Sequence, residues 1–335
     1  MEKIKVGIIG SGGIFRGAHA PYYEISERAQ IVAVSDVNEE TAKAQAERFN
    51  ADAYTDFRHI LDRKDIVAVD VCTHPAPHRD IVVAAAKAGK HILVEKPMCR
   101  NTAEADEMIA AADEAKVMLQ VAYVMRFEPA RMKLKELLDD GILGDVHMAY
   151  CSQIGWFDPS RHPWLFVKEQ SGGMLVEQAI HNLDAWLWLY GPASSVYAQT
   201  STVPLGGTYP ETEKAVENNA ILVFQFENGG SGMLIKSWAA QIGQGGEGVV
   251  CSKGSATFGG PGLRWRLHGK EEETFSSKDV QRPMSSKGYS IEHWLKCITG
   301  EEEPTTSGRV GRAGIEMAEA AYRSAQGGMP VSLPL

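Results

Sequence analysis

In KVGIIGSGGIFRG, Lys5 to Gly17, an apolar run breaks abruptly into glycines. Lys5 to Ile9 has the character of a buried strand, and Gly10-x-Gly12 follows where that strand must turn. A glycine turn between a strand and a helix lets the backbone approach a pyrophosphate, because no β-carbon stands in the way. The pattern alone is weak, and its surroundings sharpen it. Ala18 to Arg28 can carry a helix, Ile31 to Val34 reads as a second strand, and Asp36 stands at that strand's end. An acidic residue about 20 residues beyond the glycines is where dinucleotide ribose hydroxyls are bound. Phe15 departs from the pattern, since its position usually holds Gly or Ala for close helix packing. Val37 stands where a reader of a 2′-phosphate would often place Arg, and the Asp36 carboxylate repels such a phosphate. NAD is therefore expected over NADP.

The alternation continues along the chain. Asn38 reads as the N-cap of a helix reaching about Phe49, and Ile66 to Cys72 as a strand apolar on both faces. Ile81 to Ala88 is a helix stopped by Gly89. Ile92 to Val94, Glu104 to Ala115 and Val117 to Ala122 continue as strand, helix and strand. This implies an α/β class with a doubly wound parallel sheet, a Rossmann domain over residues 1–123. Ligands of such sheets bind beyond the carboxyl ends of the strands. Thr73, His74 and Pro75 follow one strand there, and Glu95 and Lys96 follow another, on the rim expected for the cofactor. Pro97 ends any ladder pairing. A lysine at that rim can hydrogen-bond a substrate hydroxyl and help it ionise; the plainer reading is a surface ion pair.

A second constellation lies in SGGMLVEQAIHNLDAWLWLYGP, Ser171 to Pro192, which reads as one helix bounded by Gly173 and Gly191. Glu177, His181 and Asp184 fall at i, i+4 and i+7, on one stripe beside the apolar Val176, Ile180, Leu183 and Leu187. A half-buried histidine flanked by carboxylates suits a general base. A satisfied polar seam in a core is the competing reading. No metal is expected, because no second His-rich element accompanies the three.

Composition narrows the class. The chain has 335 residues, a formal charge of −9 and 44% hydrophobic residues. That charge argues against nucleic acid as a partner, and no apolar run is long enough to span a bilayer. The five cysteines are scattered and odd in number, which fits reduced cytosolic thiols. The opening MEKIKVGIIG enters a strand with no signal-peptide pattern, so a cytoplasmic location is expected.

Taken together, Gly10-Ser-Gly12-Gly13-Ile14, His19, Thr73-His74-Pro75, His78, Glu95-Lys96-Pro97, Arg126-Phe127 and Gly172-Gly173 with Glu177-x-x-x-His181-x-x-Asp184 resemble the glucose–fructose oxidoreductase/inositol dehydrogenase (Gfo/Idh/MocA) family over nearly the whole chain. The helix carboxylate, most often Asp in that family, is here Glu177, and Ala179 replaces a common glycine. The resemblance implies an NAD-dependent oxidoreductase moving a hydride between a secondary hydroxyl of a sugar, cyclitol or related polyol and the nicotinamide. It implies Lys96 and His181 as catalytic residues with Glu177 beside them, and it adds Gly13, Ile14 and His78 to the cofactor site. It also implies a second α/β domain, residues 124–335, with an open, mostly antiparallel sheet through which homodimers or homotetramers form. C-terminal helices are expected to pack back on the first domain. Strand-like runs at Val146–Ile154, Val196–Val203, Ala220–Phe226 and Gly248–Cys251, with a hairpin turn at Asn228-Gly229, agree with such a sheet.

For substrate contacts we expect Tyr123 and Arg126, after the sixth strand, Asp184, and Trp164 or Trp156 from the aromatic loop IGWFDPSRHPWLF. Arg126 as a structural ion-pair partner and the aromatics as packing residues are the alternatives. Two other functions share these motifs: a glycoside hydrolase using NAD for transient oxidation and elimination, and a non-catalytic dinucleotide-binding regulator.

Overall fold

The computed structural model describes residues 2–205, 215–260 and 262–335. Contacts divide the chain into two units: residues up to Val124 with Pro283–Ile315, and Met125–Arg282 with Glu316–Leu335.

The first unit is built on six parallel strands, β1 (Ile4–Ile9), β2 (Ala29–Ser35), β3 (Asp52–Tyr54), β4 (Ala68–Val71), β5 (His91–Val94) and β6 (Leu119–Val121). They lie in the order β3-β2-β1-β4-β5-β6, so the winding reverses between β1 and β4. At such a reversal the loops after the two strands splay apart and leave a crevice for a ligand. The apolar runs are buried on both faces, as parallel sheets require: Val6, Ile8, Ile92, Leu93 and Val94 are inaccessible to solvent. Local signals act as expected. Asn38 Oδ1 accepts the Thr41 N–H at 2.9 Å and caps helix Glu39–Phe49. Helix Ser286–Ile298 belongs to this unit, and its Ile291, Trp294 and Leu295 join the core around Val6, Ile31 and Leu93.

The second unit carries nine strands: β7 (Val146–Trp156), β8 (Ala193–Ser201), β9 (Asn219–Phe226), β10 (Ser231–Ser237), β11 (Ala239–Cys251), β12 (Gly254–Gly259), β13 (Gly262–Leu267), β14 (Glu272–Ser276) and β15 (Val331–Ser332). Their order is β14-β13-β12-β11-β7-β10-β9-β8-β15. Within this sheet only the β7–β10 pair is parallel among the described strands. Asn228-Gly229 closes the β9–β10 hairpin, with Phe226 N–H donating to Gly230 O at 2.7 Å. One face holds Trp186, Phe224 and Phe226 in edge-to-face contact. On the other, Val223 stands opposite Met233 and Met148 opposite Val250, and all four are exposed. Among the described residues no helix is long and apolar enough to cross a membrane.

The helix expected from Gly173 to Gly191 is not uniform. Leu175–Ala179 is a π-turn, and the α-helix proper is Ile180–Tyr190. The first unit has its own π-turn, Phe15–His19, directly after the glycine loop.

Candidate active site

The glycine loop is held from inside the first unit. Gly10 has φ +86°, and a β-carbon there would lie 2.8 Å from both Thr73 N and Thr73 Cγ2. Gly10 is thus required by the close approach of the β1 and β4 termini and by its left-handed backbone. Gly12 and Gly13 differ: a β-carbon on either would meet nothing within 4 Å, so their outer face is open. Phe15, which departs from the usual small residue, is fully buried against the Phe49 ring. The π-turn widens the helix start there and turns the bulky ring into the core. Ile14 remains on the surface at 43% exposure.

Asp36 grips the loop. Its Oδ2 accepts the Ser11 N–H at 2.8 Å and its Oδ1 accepts the Asn38 N–H at 3.0 Å. Val37 beside it is 95% exposed. After β4, Thr73 Oγ1 is buried without a hydrogen-bond partner, His74 is exposed and Pro75 is buried. His78 is fully buried, with Nδ1 3.0 Å from Pro97 O and Nε2 3.1 Å from Thr73 O. It ties the loop after β4 to the loop after β5, and burial lowers its pKa against the pull of those carbonyls. An open glycine face, an unpartnered buried hydroxyl and a carboxylate at the end of β2 suit a dinucleotide's phosphates and ribose. Gly10–Gly13, Asp36 and Thr73 are the residues that would hold it.

Glu95 and Lys96 do not form a surface pair. Glu95 is only 3% exposed and turns inward, where Oε1 lies 2.7 Å from His19 Nε2 and pairs with Lys287. Its Oε2 accepts the Lys96 N–H at 2.9 Å. Burial alone would raise the Glu95 pKa; Lys287 and His19 outweigh it and hold the carboxyl well below the usual range. Lys96 itself is half-buried. His19 reaches on to Asp70 Oδ2 at 2.8 Å. Tyr123, just past β6, is buried.

In the second unit, Gly173 has φ +102°, and a β-carbon there would lie 2.1 Å from Tyr322 Oη. The Glu217 carboxylate accepts the Tyr322 hydroxyl at 2.5 Å and the Leu175 N–H at 3.0 Å, at the start of the π-turn. Glu177 is buried within that turn and His181 is half-buried in the first turn of the α-helix. Because the π-turn has i→i+5 hydrogen bonding, the even 100° spacing expected between Glu177 and His181 does not hold. One turn on, Asp184 meets Arg126: Nη2–Oδ1 is 2.7 Å, with side-chain exposures of 9% and 1%. These two residues, expected at the substrate, are engaged with each other and anchor the helix that carries His181. Trp164 is half-buried and Trp156 is 43% exposed; in the same loop Phe157 and Phe166 pack against each other and against Trp238.

Sequence reasoning missed four residues. Asp70 had a signal, a lone charge inside the apolar run VAVDVC. Glu217, Tyr322 and Lys287 had none: Lys287 is 192 residues from Glu95.

Comparisons with known proteins agree with this architecture. Residues 4–123 match the oxidoreductase-family model with an NAD-binding Rossmann fold, and residues 132–257 match the GFO/IDH/MocA C-terminal domain. The chain is 26% identical to myo-inositol 2-dehydrogenase of Thermotoga maritima, over 96% of each chain. It is 31% identical to levoglucosan dehydrogenase of Pseudarthrobacter phenanthrenivorans, over 70% of this chain and 67% of that one. In fold it matches a solved levoglucosan dehydrogenase in complex with NADH, with TM-score 0.90, 24% identity, and coverage of 99% of this chain and 100% of that one. An NAD-binding Rossmann domain and a mostly antiparallel second sheet, joined in one chain, make this protein a member of the Gfo/Idh/MocA family of oxidoreductases.

Proposed function

We propose that this protein oxidises a secondary hydroxyl of a sugar, cyclitol or related polyol, with residues 1–123 as its cofactor domain and residues 124–335 supplying its substrate and assembly domain, apart from Pro283–Ile315, which fold with the first unit. The observation that carries this is the place of Lys96: it follows β5 at the carboxyl edge of the sheet whose first strand ends in the open glycine loop. Support also comes from the relatives, named for dehydrogenation of myo-inositol and levoglucosan.

When bound, a nicotinamide dinucleotide supplies the hydride acceptor. His181 takes the hydroxyl proton on an imidazole nitrogen as the carbon loses hydride and becomes a carbonyl. Lys96 donates a hydrogen bond to a substrate hydroxyl oxygen and stabilises the charge that builds on it. Glu177 orients His181 or binds a neighbouring hydroxyl. NAD is preferred to NADP because Asp36 and Val37 offer a 2′-phosphate no cation. We place the enzyme in the cytoplasm, where its five buried free thiols stay reduced, and as a dimer or tetramer joined through the exposed apolar face of the second sheet.

The test is Lys96→Met assayed with NAD and myo-inositol, D-apiose, levoglucosan and D-glucose. Retained NADH binding with turnover reduced by about 100-fold or more is expected. Undiminished turnover would remove Lys96 from the chemistry. Aryl-glycoside cleavage without NADH accumulation would point instead to a hydrolase.

A further inference from the structure

We propose that His19 is a positioning residue for Lys96: as an imidazolium braced between Asp70 and Glu95, it fixes the carboxylate that holds the Lys96 main chain. The inference rests on the reading of Lys96 given above.

Hydrogen-bond valence sets the protonation state. Asp70 Oδ2 accepts the Tyr23 hydroxyl at 3.0 Å and lies 2.8 Å from His19 Nδ1, while Oδ1 accepts the Cys72 thiol at 3.4 Å. Glu95 Oε1 lies 2.7 Å from His19 Nε2 and takes Lys287 as well; Oε2 takes the Lys96 N–H. With both carboxylates ionised they only accept, so both ring nitrogens of His19 donate, which requires the doubly protonated ring. His19 and Asp70 are fully inaccessible and Glu95 nearly so. Two carboxylates, one imidazolium and one ammonium sum to zero, the condition under which charges persist in a core.

The ring links the segment after β1 to β4, across the reversal of the sheet, and on to the end of β5. His19 ends the π-turn after the glycine loop, Asp70 lies on β4, and Glu95 follows β5. Glu95 can swing only if it leaves both His19 and Lys287, so the main chain at Lys96 is registered against the core of the first unit. Charge-assisted hydrogen bonds at 2.7–2.8 Å on both sides make the ring a stiff spacer.

Two variants test this. His19→Gln removes the charge and unbalances the cluster; His19→Gln/Asp70→Asn removes one charge of each sign and keeps the sum at zero. The double variant is expected to fold and to bind NADH within about twofold of wild type, with kcat on the same polyol panel lowered by about tenfold to 100-fold. A folded double variant with wild-type kcat would reduce His19 to a structural residue and overturn the proposal. A double variant that does not fold would overturn it too, because neutrality would not then suffice for the core. So would a matching loss of NADH affinity, which would assign the network to the cofactor loop. Lys96→Met, run in parallel, separates the two claims: full turnover there defeats the catalytic reading whatever His19 does.

Discussion

Arg126 closes on Asp184 with a 2.7 Å hydrogen bond, its guanidinium Nε adding contacts of 3.1 Å to both carboxylate oxygens. Asp184 is one turn beyond His181, so the pair fastens the helix on which the imidazole stands. Burial raises the Asp184 pKa while Arg126 opposes it, and the carboxylate depends on its partner to stay ionised.

Arg126→Ala should therefore cost about 3–5 kcal/mol in urea unfolding, because it strands a buried carboxylate. Arg126→Met/Asp184→Leu should recover most of that loss. If the pair only anchors the helix, the folded double variant keeps the wild-type KM for its polyol; a KM raised by about tenfold or more would return the two residues to substrate binding.

Gly10 and Gly12 should part company on mutation. Gly10→Ala forces a β-carbon against Thr73 at an unfavourable φ and should lower the melting temperature along with NADH affinity. Gly12→Ala meets no neighbour. It should melt like wild type and lose NADH affinity alone, as a β-carbon standing in the phosphate path would cause. Calorimetry and NADH fluorescence titration read the two effects separately. An unchanged affinity in Gly12→Ala would move the phosphate site elsewhere.

Asp36→Ser should weaken NAD binding and narrow the preference over NADP, measured as the ratio of kcat/KM values. Because Asp36 Oδ2 also holds the Ser11 N–H, some loss should appear with both cofactors.

The pH dependence of stability should carry the signature of Glu95 and His19. The Glu95 pKa lies well below 4.5 in the fold, so its contribution is complete above that value and is lost as pH falls through the folded pKa. For His19, burial opposes protonation, but Asp70 and Glu95 prevail over it and over Lys287, leaving the pKa raised from 6.5. Its contribution is complete below 6.5 and fades as pH rises through the folded pKa. The stability lost in Glu95→Gln should thus be largest between pH 4.5 and 6.5 and shrink on both sides. A loss that is flat with pH would show that the two groups do not titrate as a pair.

Much of the fold was legible because its signals are local. A buried strand, a glycine turn and an Asn cap are each decided within a few residues, and β1, β2 and helix Glu39–Phe49 stand where the sequence put them. The long strand β11 was seen only as Gly248–Cys251, since Gly243, Gly245 and Gly246 erase the strand propensity before it. At the site, residue types were visible but partners were not. Arg126 was open between a ligand and an ion-pair partner and Asp184 was read at the ligand, while their pairing with each other, 58 residues apart, left no trace in the sequence. Glu95 likewise read as a neighbour of Lys96, while its charge is answered by Lys287.

The π-turn Leu175–Ala179 amounts to a helix carrying one surplus residue. Everything C-terminal to it keeps the ordinary α period but is rotated by about 100° from where an uninterrupted helix would set it. Deleting a single residue within the turn would therefore re-aim His181 without altering its chemistry. The presence or absence of that surplus residue is thus a switch of direction for every side chain that follows it on the helix.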